Sequence, residues 1–178
     1  MSVRASLLQA TRFLRQYGNA SNTDVFEGVT YWSDDQLEAI LDTLGKRVRV
    51  RLNASTSDNT TFVIDLPRHY RLDTATLVVY TSGGTVVSTS YTLEQGRGEL
   101  VFTEALTTDY YYVEALVINM WEALADLWEQ KANQRVHYID FKAGSNKVNL
   151  QQEYTHCVDR GRYYRNKTIK RHRRKWRP

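Results

Sequence analysis

The residues in this chain with the plainest chemical purpose are cations. Ten of its 24 Lys and Arg lie between Arg160 and Pro178, and that stretch holds no Asp or Glu. Residues 1–159 keep 14 basic and 20 acidic side chains, so a body of net charge −6 carries a terminal segment of +10. The formal net charge of +4 and the pI near 9.2 therefore describe an acidic body with a cationic arm. Such an arm seeks an acidic surface or a polyanion, and copies of it repel one another until something neutralises them. A solvated terminus is the plain alternative, because charge runs at chain ends are commonly that. Ile169 and Trp176 interrupt the run, however, and an exposed Trp is poor surface composition. A tail that folds onto a partner accounts for both.

Other reactive residue types do not assemble into a recognisable site. His69, His137, His156 and His172 fall in different predicted elements, and no pair has a metal-ligand spacing, whereas structural zinc needs four ligands. His156 is adjacent to Cys157, so the two point in different directions on a helix. Cys157 is the single cysteine, so no internal disulfide can form, and it reads as a small core residue rather than a nucleophile. The clusters Ser82-Gly83-Gly84 and Gly96-Arg97-Gly98 lack a following Lys-Ser/Thr and a strand-to-helix setting, so they read as turns and not phosphate loops. Nothing pairs a Ser or Cys with a His in a catalytic setting. The expectation is a protein that is not an enzyme, with no metal and no cofactor.

The elements that must position the arm are mostly helical by pattern. Residues 3–17 predict a first helix, with Leu7, Leu8, Thr11 and Leu14 at helical spacing and Gly18-Asn19 ending it. Ser33 and Gln36 form a capping box for a second helix, Trp32 and Leu37 a hydrophobic staple, and Asp34 and Asp35 suit the positive end of its dipole. Leu37, Ile40, Leu41 and Leu44 make its apolar stripe and Gly45 stops it. From Lys46 the period becomes two: Arg47, Arg49 and Arg51 alternate with Val48, Val50 and Leu52, a half-buried strand. Further strands are expected at 61–66, 74–80, 85–89 and 98–103, with turns at Ser82-Gly83-Gly84 and Gln95-Gly96-Arg97.

A long third helix is expected over 108–133, its stripe made of Val113, Leu116, Val117, Met120, Leu124, Leu127 and Trp128. Glu114, Glu122, Asp126 and Glu129 fill much of the rest. Of Tyr110, Tyr111 and Tyr112, a helix start can bury at most two. After a loop at 138–147, Asn149 and Gln152 suggest a weaker cap for a fourth helix lined by Leu150, Tyr154, Cys157, Val158 and Gly161. The third and fourth helices are expected to pair antiparallel, completed by the first two. The expected fold class is α+β: a four-helix bundle-like domain (1–46 and 104–167), an inserted antiparallel β unit (47–103) and an extended basic C-terminal arm (168–178). No apolar run approaches membrane-spanning length and no secretory leader is evident, so a soluble protein of a reducing cytoplasm is expected.

Three segments together carry a family likeness: Tyr31-Trp32-Ser33-Asp34-Asp35-Gln36-Leu37-Glu38-Ala39-Ile40-Leu41-Asp42, then Asp109-Tyr110-Tyr111-Tyr112-Val113-Glu114-Ala115-Leu116, then Tyr138-Ile139-Asp140-Phe141-Lys142-Ala143-Gly144. In this order, around a β insertion and before a basic tail, they resemble the head–tail adaptor (head completion, or connector) proteins of tailed bacteriophages. The resemblance covers about two-thirds of the chain, and its motifs are structural. It implies a non-enzymatic virion protein at the head–tail interface, made in the bacterial host cytoplasm. Such adaptors form a homo-oligomeric ring, usually of twelve subunits, beneath the portal protein. Packaged DNA passes through the ring toward a downstream neck or tail protein, with no membrane involved. Their C-terminal segment docks on the portal, which here implies Arg165, Lys167, Ile169, Lys170, Arg171, Arg173, Arg174, Lys175, Trp176 and Arg177. The competing reading is a nucleic-acid-binding protein anchored by the same arm. Against it stand the acidic body and the lack of an evident helix-turn-helix with a basic recognition face.

Overall fold

A computed structural model describes residues 4–20, 25–26, 29–30, 32–55, 59–67, 69–94, 97–107, 110–139 and 146–174, with backbone alone at 25–26, 29–30, 135–139, 146–150 and 169–174. The chain divides into two compact units, one of residues 1–3, 8–44 and 119–178, the other of residues 4–7 and 45–118.

The first unit is helical. Helix α1 (Leu8–Gly18) follows a short 3-10 turn at Ala5–Leu7. It ends as its sequence suggests. Asn19 takes a left-handed φ of 49°, and the Ala20 N–H reaches back to the Arg15 carbonyl at 3.2 Å, a Schellman closure. Gly18 is required there, because a Cβ on it would lie 2.1 Å from Leu127 Cδ2. After a two-stranded ribbon, β1 (Val25–Phe26) and β2 (Val29–Thr30), comes α2 (Asp34–Leu44). Its capping box is made reciprocally. The Gln36 N–H donates to Ser33 Oγ at 3.3 Å, and the Ser33 N–H donates to Gln36 Oε1 at 3.0 Å. Trp32 and Leu37, the staple, are both buried, as are Ile40 and Leu41. Arg15 ties the entry of this helix down, donating to the carbonyls of Ala20 and Trp32 and to the Asp34 carboxylate.

The second unit is where the sequence-based fold class fails. It is not a small β insertion in a four-helix bundle. Six strands, β3 (Lys46–Ala54), β4 (Thr61–Ile64), β5 (Tyr70–Thr81), β6 (Tyr91–Glu94), β7 (Glu99–Phe102) and β8 (Tyr111–Asn119), form one sheet in the order β5-β8-β3-β4-β7-β6. Strand β3 turns the sheet. Lys46 to Arg51 pair antiparallel with Val117 to Tyr112 of β8, and Leu52 to Ala54 pair with Ile64 to Phe62 of β4. The outer strands β5 and β6 approach each other, with Tyr91 Oη donating to the Leu77 carbonyl at 3.0 Å, and the segment between them folds back on β5, the Val87 N–H donating to the Val79 carbonyl at 2.9 Å. The result is a nearly closed barrel. Its interior is filled by Leu52, Phe62, Ile64, Leu77, Val79, Leu100, Phe102, Tyr111, Val113 and Val117, and the Phe62 ring meets those of Phe102 and Tyr111 edge-on at 5.6 and 5.7 Å. Asp73, 2% exposed, accepts the Ala75 N–H and faces Arg4.

The physical reason for the correction lies in residues 110–119. They were expected to open a helix, but burial alternates along them. Tyr111, Val113, Ala115 and Val117 point inward, while Tyr112, Glu114 and Leu116 are half-buried on the other face. Tyr, Val and Ile are stiff or bulky near the backbone and suit a pleated surface. The strand expected at 85–89 is also displaced. Val86 makes a single bridge to Tyr80, and the paired strand is β6. Ser82-Gly83-Gly84 is a turn, with Gly84 at φ 83° and its N–H on the Thr81 carbonyl. In the second expected turn, Gln95 and Gly96 lie outside the described residues.

Helix α3 (Met120–Ile139) starts where Asn119 caps it, the Trp121 N–H donating to Asn119 Oδ1 at 3.1 Å. Helix α4 (Asn146–Arg174) is already helical at Asn149, so the expected Asn149–Gln152 cap does not form there. The two helices pair antiparallel, as expected: Trp128 meets His156, and Trp121 meets Tyr164 farther along α4. The segment Asp140 to Gly144 of the family likeness lies outside the described residues.

Candidate functional site

The basic segment begins as the second half of α4, and its helical backbone continues through Arg174. The expectation of an extended arm from residue 168 is thereby corrected. Lys and Arg are good helix formers, no Gly or Pro stands between Gly161 and Pro178, and cations are favoured at the negative end of a helix dipole. Lys175, Trp176 and Arg177 lie outside the described residues. For Ile169, Lys170, Arg171, Arg173 and Arg174 the helical backbone alone is described.

Two of the expected docking residues, Arg165 and Lys167, make contacts inside the unit. Arg165 spans the α3–α4 pair as a fork, its Nη2 donating to Glu129 Oε2 at 2.6 Å and to Asp126 Oδ1 at 2.7 Å, and its Nε to Glu129 Oε1 at 3.2 Å. Hydrogen bonds to Glu129, and secondarily to Asp126, raise the pKa of this guanidinium above its ordinary value against the opposing effect of burial. Lys167 places its ammonium 4.0 Å from the Trp121 ring centre and 4.2 Å from that of Tyr163. One turn earlier, Gly161 lets the helices close. A Cβ on it would lie 3.2 Å from Glu129 Cγ and 3.6 Å from the Ala125 carbonyl oxygen. Cys157 sits with Trp128 and Ala132 in the same seam, buried as expected.

The acidic residues of α3 thus have a definite task. Asp126 and Glu129 neutralise the root of the cationic helix and fix its direction. Arg160 and Arg162 beside this root are exposed, and Tyr163 is 49% exposed. Asp126 also lines a cavity of about 270 Å³ with Trp32, Gln36, Ile40 and Gln130, among others, between α2 and α3. Sequence reasoning missed the Arg165 fork, although a +10 segment following a helix with carboxylates at 126 and 129 signals such a lock once the two helices pair. Among the described residues no three His, Cys, Asp or Glu side chains gather as metal ligands, and no helix is long and apolar enough to cross a membrane. The chain matches no known protein-family model, and its sequence is not detectably similar to that of any curated protein.

Proposed function

We propose that the protein is a structural subunit of a phage head–tail adaptor ring, one that docks under the portal and extends the DNA channel toward the tail. Its work is docking and assembly rather than catalysis. The observation that carries the reading is the anchored cationic helix. The Arg165 fork to Asp126 and Glu129 ties the start of the basic segment to α3, and the backbone beyond it stays helical through Arg174. The charge segregation and the segment order described above support the same role. In a ring, every copy brings its +10 segment to the same end. Repulsion there opposes closure until an acidic partner arrives, so assembly is coupled to docking.

The test is electron-microscopic imaging of the purified protein alone and mixed with purified portal protein of its phage. Few rings are expected alone and many on the portal. A chain ending at Thr168 is expected not to dock, and Ile169→Ala with Trp176→Ala to dock weakly. Equal docking by the shortened chain overturns the role. Salt separates the competing use of the arm on DNA. That binding falls with a log–log slope of about −0.9 per phosphate contacted, whereas docking through Ile169 and Trp176 is less salt-sensitive.

A further inference from the structure

The sheet unit carries a second cationic feature, on strand β3. Arg47, Arg49 and Arg51 are all exposed and all on its outer face, because Val48, Val50 and Leu52 take the inner one. Successive arginines stand about 6.7 Å apart, twice the rise per strand residue. They form a row rather than a cluster. Strand β8, with Tyr110 leading into it, and β5 beyond it set aromatic rings beside two of them. The Arg49 guanidinium lies 4.8 Å from the Tyr112 ring centre and 5.7 Å from that of Tyr80, and the Arg51 guanidinium lies 4.0 Å from that of Tyr110. Tyr110 is 44% exposed. Glu114, half-buried, is in register with Arg49, and one carboxylate beside three arginines leaves the row net positive.

We propose that this outer face is a track for single-stranded nucleic acid, with phosphates on the arginines and unpaired bases on the tyrosine rings. A guanidinium stacked on a ring keeps its in-plane N–H donors free for an anion. Among the described residues Arg47, Arg49 and Arg51 make no hydrogen bond or ion pair through those donors. A line of cations interleaved with rings is the arrangement by which proteins hold unpaired strands, the charge following the backbone and the rings taking base faces of any sequence. An acidic protein surface would use the cations alone, whereas an unpaired strand also uses the exposed ring of Tyr110. Duplex bases are already stacked on each other and offer the rings no face. The unit as a whole is neutral, with eight basic and eight acidic residues, so the attraction is local to this row. The track belongs to the sheet unit and α4 to the helical unit, and the proposal does not depend on the adaptor reading.

The experiment is fluorescence anisotropy of a labelled twenty-nucleotide oligo-dT, and of a duplex of equal length, with the full chain across a salt series. Binding of the single strand is expected to exceed that of the duplex. Arg47→Ser, Arg49→Ser and Arg51→Ser together should reduce the log–log salt slope by about 2, at about 0.7 per single-strand phosphate. The corresponding triple Lys variant should keep the slope. Tyr110→Ala with Tyr112→Ala should weaken binding roughly tenfold or more with the slope retained, since stacking releases no counterions. Circular dichroism of each variant checks that the sheet is intact, and the Lys triple keeps the test open if the Ser triple unfolds. Four outcomes overturn the proposal: no binding at low salt, tighter binding of the duplex, a reduced slope in the Lys triple, or loss of binding only when Lys170, Arg171, Arg173 and Arg174 are changed to Ser.

Discussion

The helical unit and the sheet unit handle arginine in opposite ways. In the helical unit, setting aside residues 160–178, twelve acidic residues face six basic ones, and Arg165 is held by two carboxylates. In the sheet unit Arg49 and Arg51 of β3 rest on phenol rings. The first arrangement consumes the cation's donors and yields direction. The second immobilises the cation while leaving its donors available. Charge placed for architecture and charge kept for a ligand, as proposed for β3, differ in what occupies the guanidinium edge.

The two units can also be separated in solution, because all four tryptophans, Trp32, Trp121, Trp128 and Trp176, belong to the helical unit. Leu41→Asp should have the largest effect. Leu41 is 0% exposed, and an unpaired carboxylate there costs several kcal/mol, a large share of a domain's stability. Tryptophan emission should shift red in this variant at denaturant levels that leave the wild type native. Leu100→Ala strikes the sheet unit instead. Leu100 is also 0% exposed, and truncation should cost about 2–5 kcal/mol. Strand ellipticity should be lost early while tryptophan emission holds. If both signals move together in both variants, the units unfold as one and the comparison loses its thermodynamic meaning. Ser33→Ala should be milder, about 1 kcal/mol from the lost cap, read as a small drop in denaturation midpoint by tryptophan emission.

The smallest effect should appear only in alkali. Burial raises the Tyr91 phenol above its ordinary 10.0, so the folded state holds this proton more tightly than the unfolded chain does. Its contribution is fully present below about pH 10 and declines as pH rises above that toward the raised value. Tyr91→Phe should lose the hydrogen bond to the Leu77 carbonyl at every pH, about 1 kcal/mol, and show a shallower alkaline decline than the wild type. Melting temperatures from pH 8 to 11 read both.

Local signals explain which parts of this fold were legible. The Ser33 box, the Leu37–Ile40–Leu41 stripe and the Asn19 closure each depend on a few neighbouring residues, and each is found where the sequence places it. Residues 110–119 were misread because Val113, Leu116, Val117 and Met120 fit a helical stripe and a strand edge about equally. The deciding term is pairing with Lys46 to Arg51, more than sixty residues away, which no local period reports. Asn119 with Glu122 three residues on was a start signal of the same kind as Ser33 and Gln36, and it marks the true beginning of α3. At the candidate site the charge was legible and its disposition was not. Composition cannot distinguish a braced helix from an extended arm, and the fork at Arg165 exists only once α3 and α4 lie side by side. The ring-stacked arginines were legible as an alternation, but their aromatic neighbours come from β5 and from β8 with its leading residue Tyr110.

The register of β3 on β8 has a last consequence. Lys46 and Val117 are partners on adjacent antiparallel strands, so the point where the chain enters the sheet and the point where it leaves are about 5 Å apart. A host helix pair that accepts this segment needs to accommodate only the span of a tight turn. Everything from Lys46 to Val117 is thus a cassette on a two-stranded stem. Its strands can lengthen, shorten or change their outer residues without altering the gap that the host must bridge.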